Sequence, residues 1–334
     1  MSDIPYEFYL QLKHSKLRRA EWHDYHSRGF YLVTLMRNSS LKAPLFSSII
    51  EKNGKATVDF TWAGWGIYNG INKFIKNSDF IVVWKYVIMP DHVHVILEVK
   101  ERIKQPLGYY VGLLKQQCEL CFRSKSMVYG LIEEPAFSEG FNDRILLHRK
   151  QLDNWTDYIL DNPRRLLIMR SNHNFFSKKS VVRYAGFPED VWLSGQDPEI
   201  QLYGNGLITE NPEICAVRFS SKFSAEEWEK RRKEALRVAK NGGVLVSPFI
   251  HKEEKAILEE GMLLGAKIIK VIPDGFLDRE KPKGADFHHC AEGRMLLAAL
   301  NRGVYTPTRN SRSLCMRMNR LAAWIAANPK ALIL

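Results

Sequence analysis

The chain has 334 residues, of which 45% are hydrophobic and 26% charged, a composition that excludes disorder as its main state and allows at least one full core. Lys plus Arg number 49 against 37 Asp plus Glu, a net charge of +12 with a pI near 9.4; this points to a polyanionic partner such as nucleic acid, a solvated basic surface being the bland alternative. No stretch approaches the ~18 continuous apolar residues of a membrane span, and the N-terminus lacks a signal-peptide apolar core, so a cytoplasmic protein without a membrane partner is expected.

The length suggests about two domains, and both halves share the basic excess. A leader containing Lys13, Lys16, Arg18 and Arg19 precedes a strand at residues 29–36, rich in strand-forming residues. From Trp62 to Lys76 the apolar positions Trp65, Ile67, Tyr68, Ile71, Phe74 and Ile75 recur at helical spacing despite three glycines. Phe80–Met89 and Val93–Val99 read as a hairpin reversed at Pro90-Asp91, where proline fixes φ and the short acid suits a tight turn. Pro106 then opens a helix over Leu107–Phe122, and a strand follows at Phe141–Leu147. Strand, helix, strand, strand, helix, strand is the order of a split βαβ unit, so the expected class is α+β, with a ferredoxin-like antiparallel sheet backed by helices. A further helix at Leu152–Leu160 is expected to break at Asn162-Pro163.

After residue 172 the texture becomes turn-rich, with Gly186-Phe-Pro, Ser194-Gly-Gln-Asp-Pro and Gly204-Asn-Gly. The boundary is placed there, giving domains 1–172 and 173–334. Beyond it come a strand at Ala216–Ser220, a charged helix at Ser224–Lys240, a strand at Gly243–Phe249, a helix at Glu253–Gly265 and a strand at Lys267–Ile272. This alternation argues for a small parallel α/β unit, closed by helices near Glu292–Asn301 and Ser311–Ala327.

Five cysteines, an odd and scattered set, do not form a disulfide framework. Cys118 and Cys121 make a lone CxxC within a helical stretch and are read as buried helix residues, because no second pair completes a zinc site. His288-His289-Cys290, taken as extended, would point to alternate sides and so cannot easily converge on one ion.

His92 and His94 carry more information. On a strand, their spacing puts both imidazoles on one face while Val93 faces the core. Two imidazoles need a further ligand, preferably an oxygen donor that leaves positions open for substrate. Asn162 is the candidate: four residues after Tyr158, it shares a helical face with it, so a nucleophile and a metal ligand can stand together. Singly, a His-x-His pair reads as a surface pair and a Tyr before Asn-Pro as a packed helix end; their joint occurrence favours catalysis.

At these residues the sequence resembles a known family. Tyr86-Val-Ile-Met-Pro-Asp-His-Val-His-Val-Ile-Leu and Trp155-Thr-Asp-Tyr-Ile-Leu-Asp-Asn-Pro-Arg-Arg resemble the paired motifs of single-tyrosine HUH transposases, especially those associated with repetitive extragenic palindromes, and Phe141-Asn-Asp-Arg-Ile-Leu resembles the segment before their tyrosine helix. The likeness covers roughly residues 20–170. Asp91 stands where asparagine is commoner, and Arg165-Leu166 where an alanine-glycine pair is frequent; neither touches the proposed ligands or nucleophile. The resemblance implies a transposase-type enzyme that cleaves and rejoins single-stranded DNA at hairpin-associated sites. Tyr158 would be the nucleophile, and His92, His94 and Asn162 the ligands of Mg²⁺ or Mn²⁺. A tyrosine hydroxyl, with an ordinary pKa of about 10, needs a base or a polarised phosphate to attack at neutral pH. The alternative is a domesticated, non-cleaving binder of structured DNA.

Arg144, Arg149, Lys150, Arg164 and Arg165 flank these motifs and are the candidate phosphate contacts, with solvated faces as the alternative for each. Trp62, Trp65, Tyr109 and Tyr110 suit either base stacking or a core. In the second half, the segments Val244-Leu-Val-Ser-Pro-Phe-Ile, Gly265-Ala-Lys-Ile-Ile-Lys-Val-Ile and Asp274-Gly-Phe faintly resemble the Rossmann-like core of the DNA-processing protein A group, which implies an accessory DNA-contacting domain. No glycine-rich phosphate loop follows a strand there. The oligomeric state stays open, a homodimer included.

Overall fold

The computed structural model describes residues 20, 22–130, 133–147, 150–182, 188, 191, 199–276, 281–301 and 311–332. The chain divides into two compact units, Met1–Arg170 and Ser171–Leu334. Both mix helices with sheet, and no described helix is long and apolar enough to cross a membrane.

In the first unit, strands β1 (Gly29–Met36), β4 (Ile81–Ile88), β5 (His92–Val99) and β6 (Asn142–Ile145) form one sheet in the order β4-β5-β1-β6. Every neighbouring pair is antiparallel. The period-two alternation of β1 and β5 divides the side chains cleanly. Tyr31, Val33 and Leu35 with Val93, Val95, Leu97 and Val99 face the helices α1 (Trp62–Lys76) and α2 (Leu107–Tyr129) and enter the main core. Thr61 caps α1 by accepting a hydrogen bond from the Gly64 N–H at 3.2 Å. The glycines that seemed to weaken α1 let it approach α2. A Cβ on Gly66 would stand 2.7 Å from the Phe122 Cα, and one on Gly70 would collide with the Cys118 backbone. Cys118 and Cys121 are buried in that contact, as the helical spacing predicts.

The other face of the sheet carries Leu32, Val87, Met89 and Ile96, which pack against Leu152 and Ile159 of α3 (Lys150–Ser171). Here the structure corrects the expected helix break: α3 runs through Pro163. An interior proline costs about 3 kcal/mol. Ile159 before it and Leu166 after it belong to the same apolar cluster, and Pro163 is itself buried, so tertiary packing outweighs the local penalty. A second departure is a hairpin between β1 and α1, formed by β2 (Ser47–Lys52) and β3 (Lys55–Phe60). Asn53 and Gly54 turn it with φ of 54° and 71°, as a two-residue hairpin loop requires. The Ser47 hydroxyl donates to the Ile88 carbonyl at 2.9 Å and ties the hairpin to β4.

The second unit holds a six-stranded sheet in the order β7-β8-β12-β11-β10-β9. Its strands are β7 (Ser177–Val182), β8 (Glu199–Gly204), β9 (Ile214–Ala216), β10 (Val244–Ser247), β11 (Lys267–Asp274) and β12 (Met295–Asn301). β9 to β12 are parallel, and β8 and β7 extend the sheet antiparallel. The connecting helices are α4 (Ala225–Lys240), α5 (Lys252–Leu263) and α6 (Gly284–Ala291), and α7 (Arg312–Ala327) packs on β10 and β11. Three expectations are corrected. The strand expected at Ala216–Ser220 lies instead at Ile214–Ala216. The helix expected near Glu292–Asn301 is strand β12, because Met, Leu and Ala favour helices locally whereas a short continuous apolar run also suits a strand buried on both faces. His288-His289-Cys290 are helical rather than extended, with Cys290 buried. The basic leader, Gly186-Phe187 and Ser194–Pro198 lie outside the described residues.

Candidate active site

The sheet register assembles the candidate site before any helix arrives. On β5, His92 and His94 project from the face opposite Val93, and their ring centroids are 4.6 Å apart. Opposite His94 on β1 stands Thr34, and opposite Thr34 on β6 stands Asn142; two residues along, on the same face, Leu32 is opposite Arg144. Directly opposed residues of an antiparallel pair share a face. Asn142 and Arg144, both exposed, therefore border the histidines on the edge strand.

Each imidazole has a partner at Nδ1. His92 Nδ1 lies 2.7 Å from Asp91 Oδ1; a carboxylate only accepts, so Nδ1 is the donor in this contact. His94 Nδ1 lies 2.9 Å from Thr34 Oγ1, a hydroxyl that can accept in the same way. Carboxylate and hydroxyl partners of this kind orient imidazoles toward a cation and raise their basicity. The short Met89-Pro90-Asp91 reversal, closed by the Met89 N–H donating to the His92 carbonyl at 2.8 Å, fixes Asp91 beside His92.

Helix α3 brings the remaining groups. Tyr158 is 40% exposed, and its ring centroid lies 6.2 Å from that of His94. The Arg165 guanidinium carbon stands 5.9 Å from the Tyr158 ring centroid. Arg165 is buried, and its guanidinium is held beside the Tyr158 ring rather than in open solvent. Asn162 is 4% exposed, and its amide N–H donates to the Tyr158 carbonyl at 3.0 Å; only its amide oxygen could serve an ion. Among the described residues no group of three His, Cys, Asp or Glu could hold a metal. Imidazole nitrogens from His92 and His94 suit a divalent cation whose other ligands are oxygens, either that of Asn162 or those of a substrate phosphate.

The expected phosphate contacts fare differently. Arg144 is exposed on the histidine face. Arg164 is clamped by Asp161 at 2.6 and 2.9 Å, and that ion pair holds its guanidinium above the ordinary value. Arg149 lies outside the described residues, and Lys150 opens α3. Trp62 is stacked on Phe122 and Tyr129. The residues missed by sequence reasoning are Thr34, Asp91 and Asn142, together with the placement of Arg165 over the tyrosine. Thr34 had a visible signal, a polar side chain at a period-two position in an otherwise apolar strand.

No family model matches the chain, and no curated protein matches it. Among solved structures, a REP-associated tyrosine transposase bound to a REP hairpin is similar at 17% identity, with 44% of this chain and 74% of that one covered and a TM-score of 0.32. DNA processing protein A from Helicobacter pylori, described for its single-stranded DNA binding mode, is similar at 17% identity, with 46% and 67% covered and a TM-score of 0.29. DNA processing protein A from Streptococcus pneumoniae is similar at 13% identity, with 82% and 75% covered and a TM-score of 0.29. These likenesses are distant, and the functional reading rests on the geometry of the site.

Proposed function

We propose that the chain is a single-stranded DNA nuclease and strand transferase of the single-tyrosine HUH kind, acting at hairpin-associated sites. Residues 1–172 would carry the chemistry on a ferredoxin-like sandwich. Residues 173–334 would form an accessory α/β domain of Rossmann-like arrangement that contacts DNA. The observation that carries this reading is the meeting of His92 and His94 from β5 with Tyr158 from α3 on one face of the sheet. The order β4-β5-β1-β6, which a split βαβ unit produces, supports the fold reading.

In the proposed reaction the Tyr158 oxygen attacks the scissile phosphorus and loses its proton to solvent or a nearby base. A tyrosine–phosphorus bond forms, the bond to the 3′-oxygen breaks, and that oxygen leaves protonated as a free 3′-hydroxyl. The linkage keeps the phosphodiester energy, so a second 3′-hydroxyl can reverse the step and join a new strand. His92, His94 and the Asn162 oxygen would hold Mg²⁺ or Mn²⁺, which withdraws charge from the phosphate and orients it. Arg165 would add a buried positive charge beside the tyrosine ring, and Arg144 an exposed one on the edge strand.

The test is a labelled hairpin carrying single-stranded flanks, incubated with the protein and Mn²⁺. Denaturing gels should show a strand covalently attached to wild-type protein and none attached to Tyr158→Phe, with hairpin affinity within a few-fold. An adduct formed by Tyr158→Phe would move the nucleophile elsewhere. That no group of three His, Cys, Asp or Glu among the described residues could hold a metal favours a second reading, a structured-DNA binder that does not cut. Tight hairpin binding without any adduct, at any Mn²⁺ concentration, would select it.

A further inference from the structure

Strand β4 is irregular at one place. Its pairing with β5 shifts between Val83 and Lys85, so Trp84 is an extra, bulged residue. Bulges bend an edge strand and re-aim its side chains, and they recur beside active sites. The re-aimed indole meets the ring of Phe30 edge-on, with centroids 5.7 Å apart and planes at 88°. Phe30 belongs to the apolar cluster under α3, which puts Trp84 on the face that carries His92 and His94 rather than on the α1–α2 face. There it is 45% exposed, an indole braced by one aromatic contact and otherwise partly open to solvent.

Its surroundings select a ligand. Lys85, the next residue, is exposed and pairs with Ile96, two positions from His94 on the same face. At a strand rise of ~3.3 Å per residue, this sets the indole about 7–14 Å from His94 along the strand, the reach of the nucleotides adjoining the scissile phosphate. Glu98 faces the same patch, opposite Val82 and Phe30. A carboxylate there repels a phosphate lying directly over the ring, whereas the lysine attracts one beside it. A nucleobase stacked on the indole, with its phosphate turned toward Lys85, satisfies both.

We propose that Trp84, braced by Phe30, is a stacking platform for one unpaired base of the DNA strand held at the tyrosine site. This rests on the function proposed above and adds the element that recognises the strand as single. Stacking on a π face tolerates any base but requires that it be unpaired, so the platform rejects duplex without reading sequence.

The test uses the full-length Tyr158→Phe protein, so that binding is measured without cleavage, and a hairpin with single-stranded flanks in which each flanking nucleotide is replaced in turn by an abasic one. One abasic position should weaken binding by about 5- to 150-fold, the range for losing one stacked base. Adding Trp84→Ala should weaken binding of the intact flank by a similar factor and abolish sensitivity to that abasic position, while Trp84→Phe restores most of both. Binding to a fully paired hairpin should not change. Thermal melting checks that Trp84→Ala is folded, and Trp84→Phe keeps the test valid if it is not. Unchanged affinity of Trp84→Ala, or abasic sensitivity that persists in it, would overturn the platform and leave the tyrosine chemistry standing. A wild-type protein that neither binds the flanked hairpin nor forms an adduct would overturn both.

Discussion

Replacing Thr34 by Val removes one hydroxyl and changes little else. Both side chains are β-branched and suit a strand, and Thr34 sits in the middle of β1 opposite His94. What is lost is the 2.9 Å hydrogen bond to His94 Nδ1. Its net worth to folding is about 0.5–1.5 kcal/mol, so the variant should melt only slightly earlier. The larger effect falls on the cation. Removing a partner that orients a ligating imidazole costs about 10- to 100-fold in metal affinity, or ~1.4–2.7 kcal/mol. The assay is the initial rate of adduct formation on the flanked hairpin over a Mn²⁺ titration. The half-saturating Mn²⁺ concentration should rise by that factor while the rate at saturation returns to that of wild type, and Thr34→Ser should recover most of the shift. An unchanged midpoint with a lowered plateau would refute the reasoning, because it would show Thr34 acting on the strand or the nucleophile rather than through His94.

Arg144→Ala should weaken hairpin binding similarly across sequences and reduce the slope of log affinity against log salt by about 1, the signature of one lost phosphate contact; an unchanged slope would remove Arg144 from the interface. Gly70→Ala forces a methyl into the Cys118 backbone and should cost about 1–3 kcal/mol or more in denaturant unfolding of the first unit, and a loss below ~0.5 kcal/mol would mean that the helices separate freely. Burial holds His23 below the usual histidine value, against a smaller opposing pull from Asp24, and its Nε2 lies 2.8 Å from the Tyr31 hydroxyl. The folded state thus prefers neutral His23, so this contribution is complete above the unfolded value of about 6.5 and is lost as pH falls below it. Denaturant midpoints should drop from pH 7 to pH 5, less steeply in His23→Gln; a midpoint rising on acidification would contradict the assignment.

Most of the first unit was legible because its elements obey one dominant period. β1 is a run of strand-forming residues, the His-Val-His-Val start of β5 alternates, and α1 and α2 repeat at helical spacing, so tertiary packing and local pattern agree. The β2–β3 hairpin escaped because its strands are mostly solvated, Ile49 being buried while Ile50 and Glu51 are exposed. Only Asn53-Gly54 marked it, a local turn signal with little apolar alternation around it. β12 misled for the opposite reason: Met295-Leu-Leu-Ala-Ala-Leu is good helix material, and only its neighbours β11 and β8 make it a strand. At the site, the spacing of His92 and His94 was readable from the strand period. Asp91 lay inside the motif but its contact did not, and Thr34, Asn142 and Arg165 depend on register and helix docking, which residue spacing alone does not encode.

The same alternation that builds the core places the chemistry. A one-residue slip of β5 against β1 would turn His92 and His94 under α1 and α2 and bring Val93 and Val95 out, exchanging apolar burial for buried imidazoles. The register is therefore held by the whole of the Tyr31–Leu35 and Val93–Val99 packing, and the His94–Thr34 pair inherits that rigidity. On α3 the logic is helical. Leu152, Ile159 and Leu166, seven residues apart, form the stripe that seats the helix on the sheet. Tyr158 stands one position before Ile159, about 100° around the axis, and so emerges at the edge of the contact rather than beneath it. Asn162 and Arg165 follow at four and seven residues, on the tyrosine's side. Pro163, four residues after Ile159, falls on the seated side, where its ring is buried. A helix that ended at residue 162 would lose Leu166 from the seat and Arg165 from the tyrosine together, which is why the proline has to be tolerated for the site to exist.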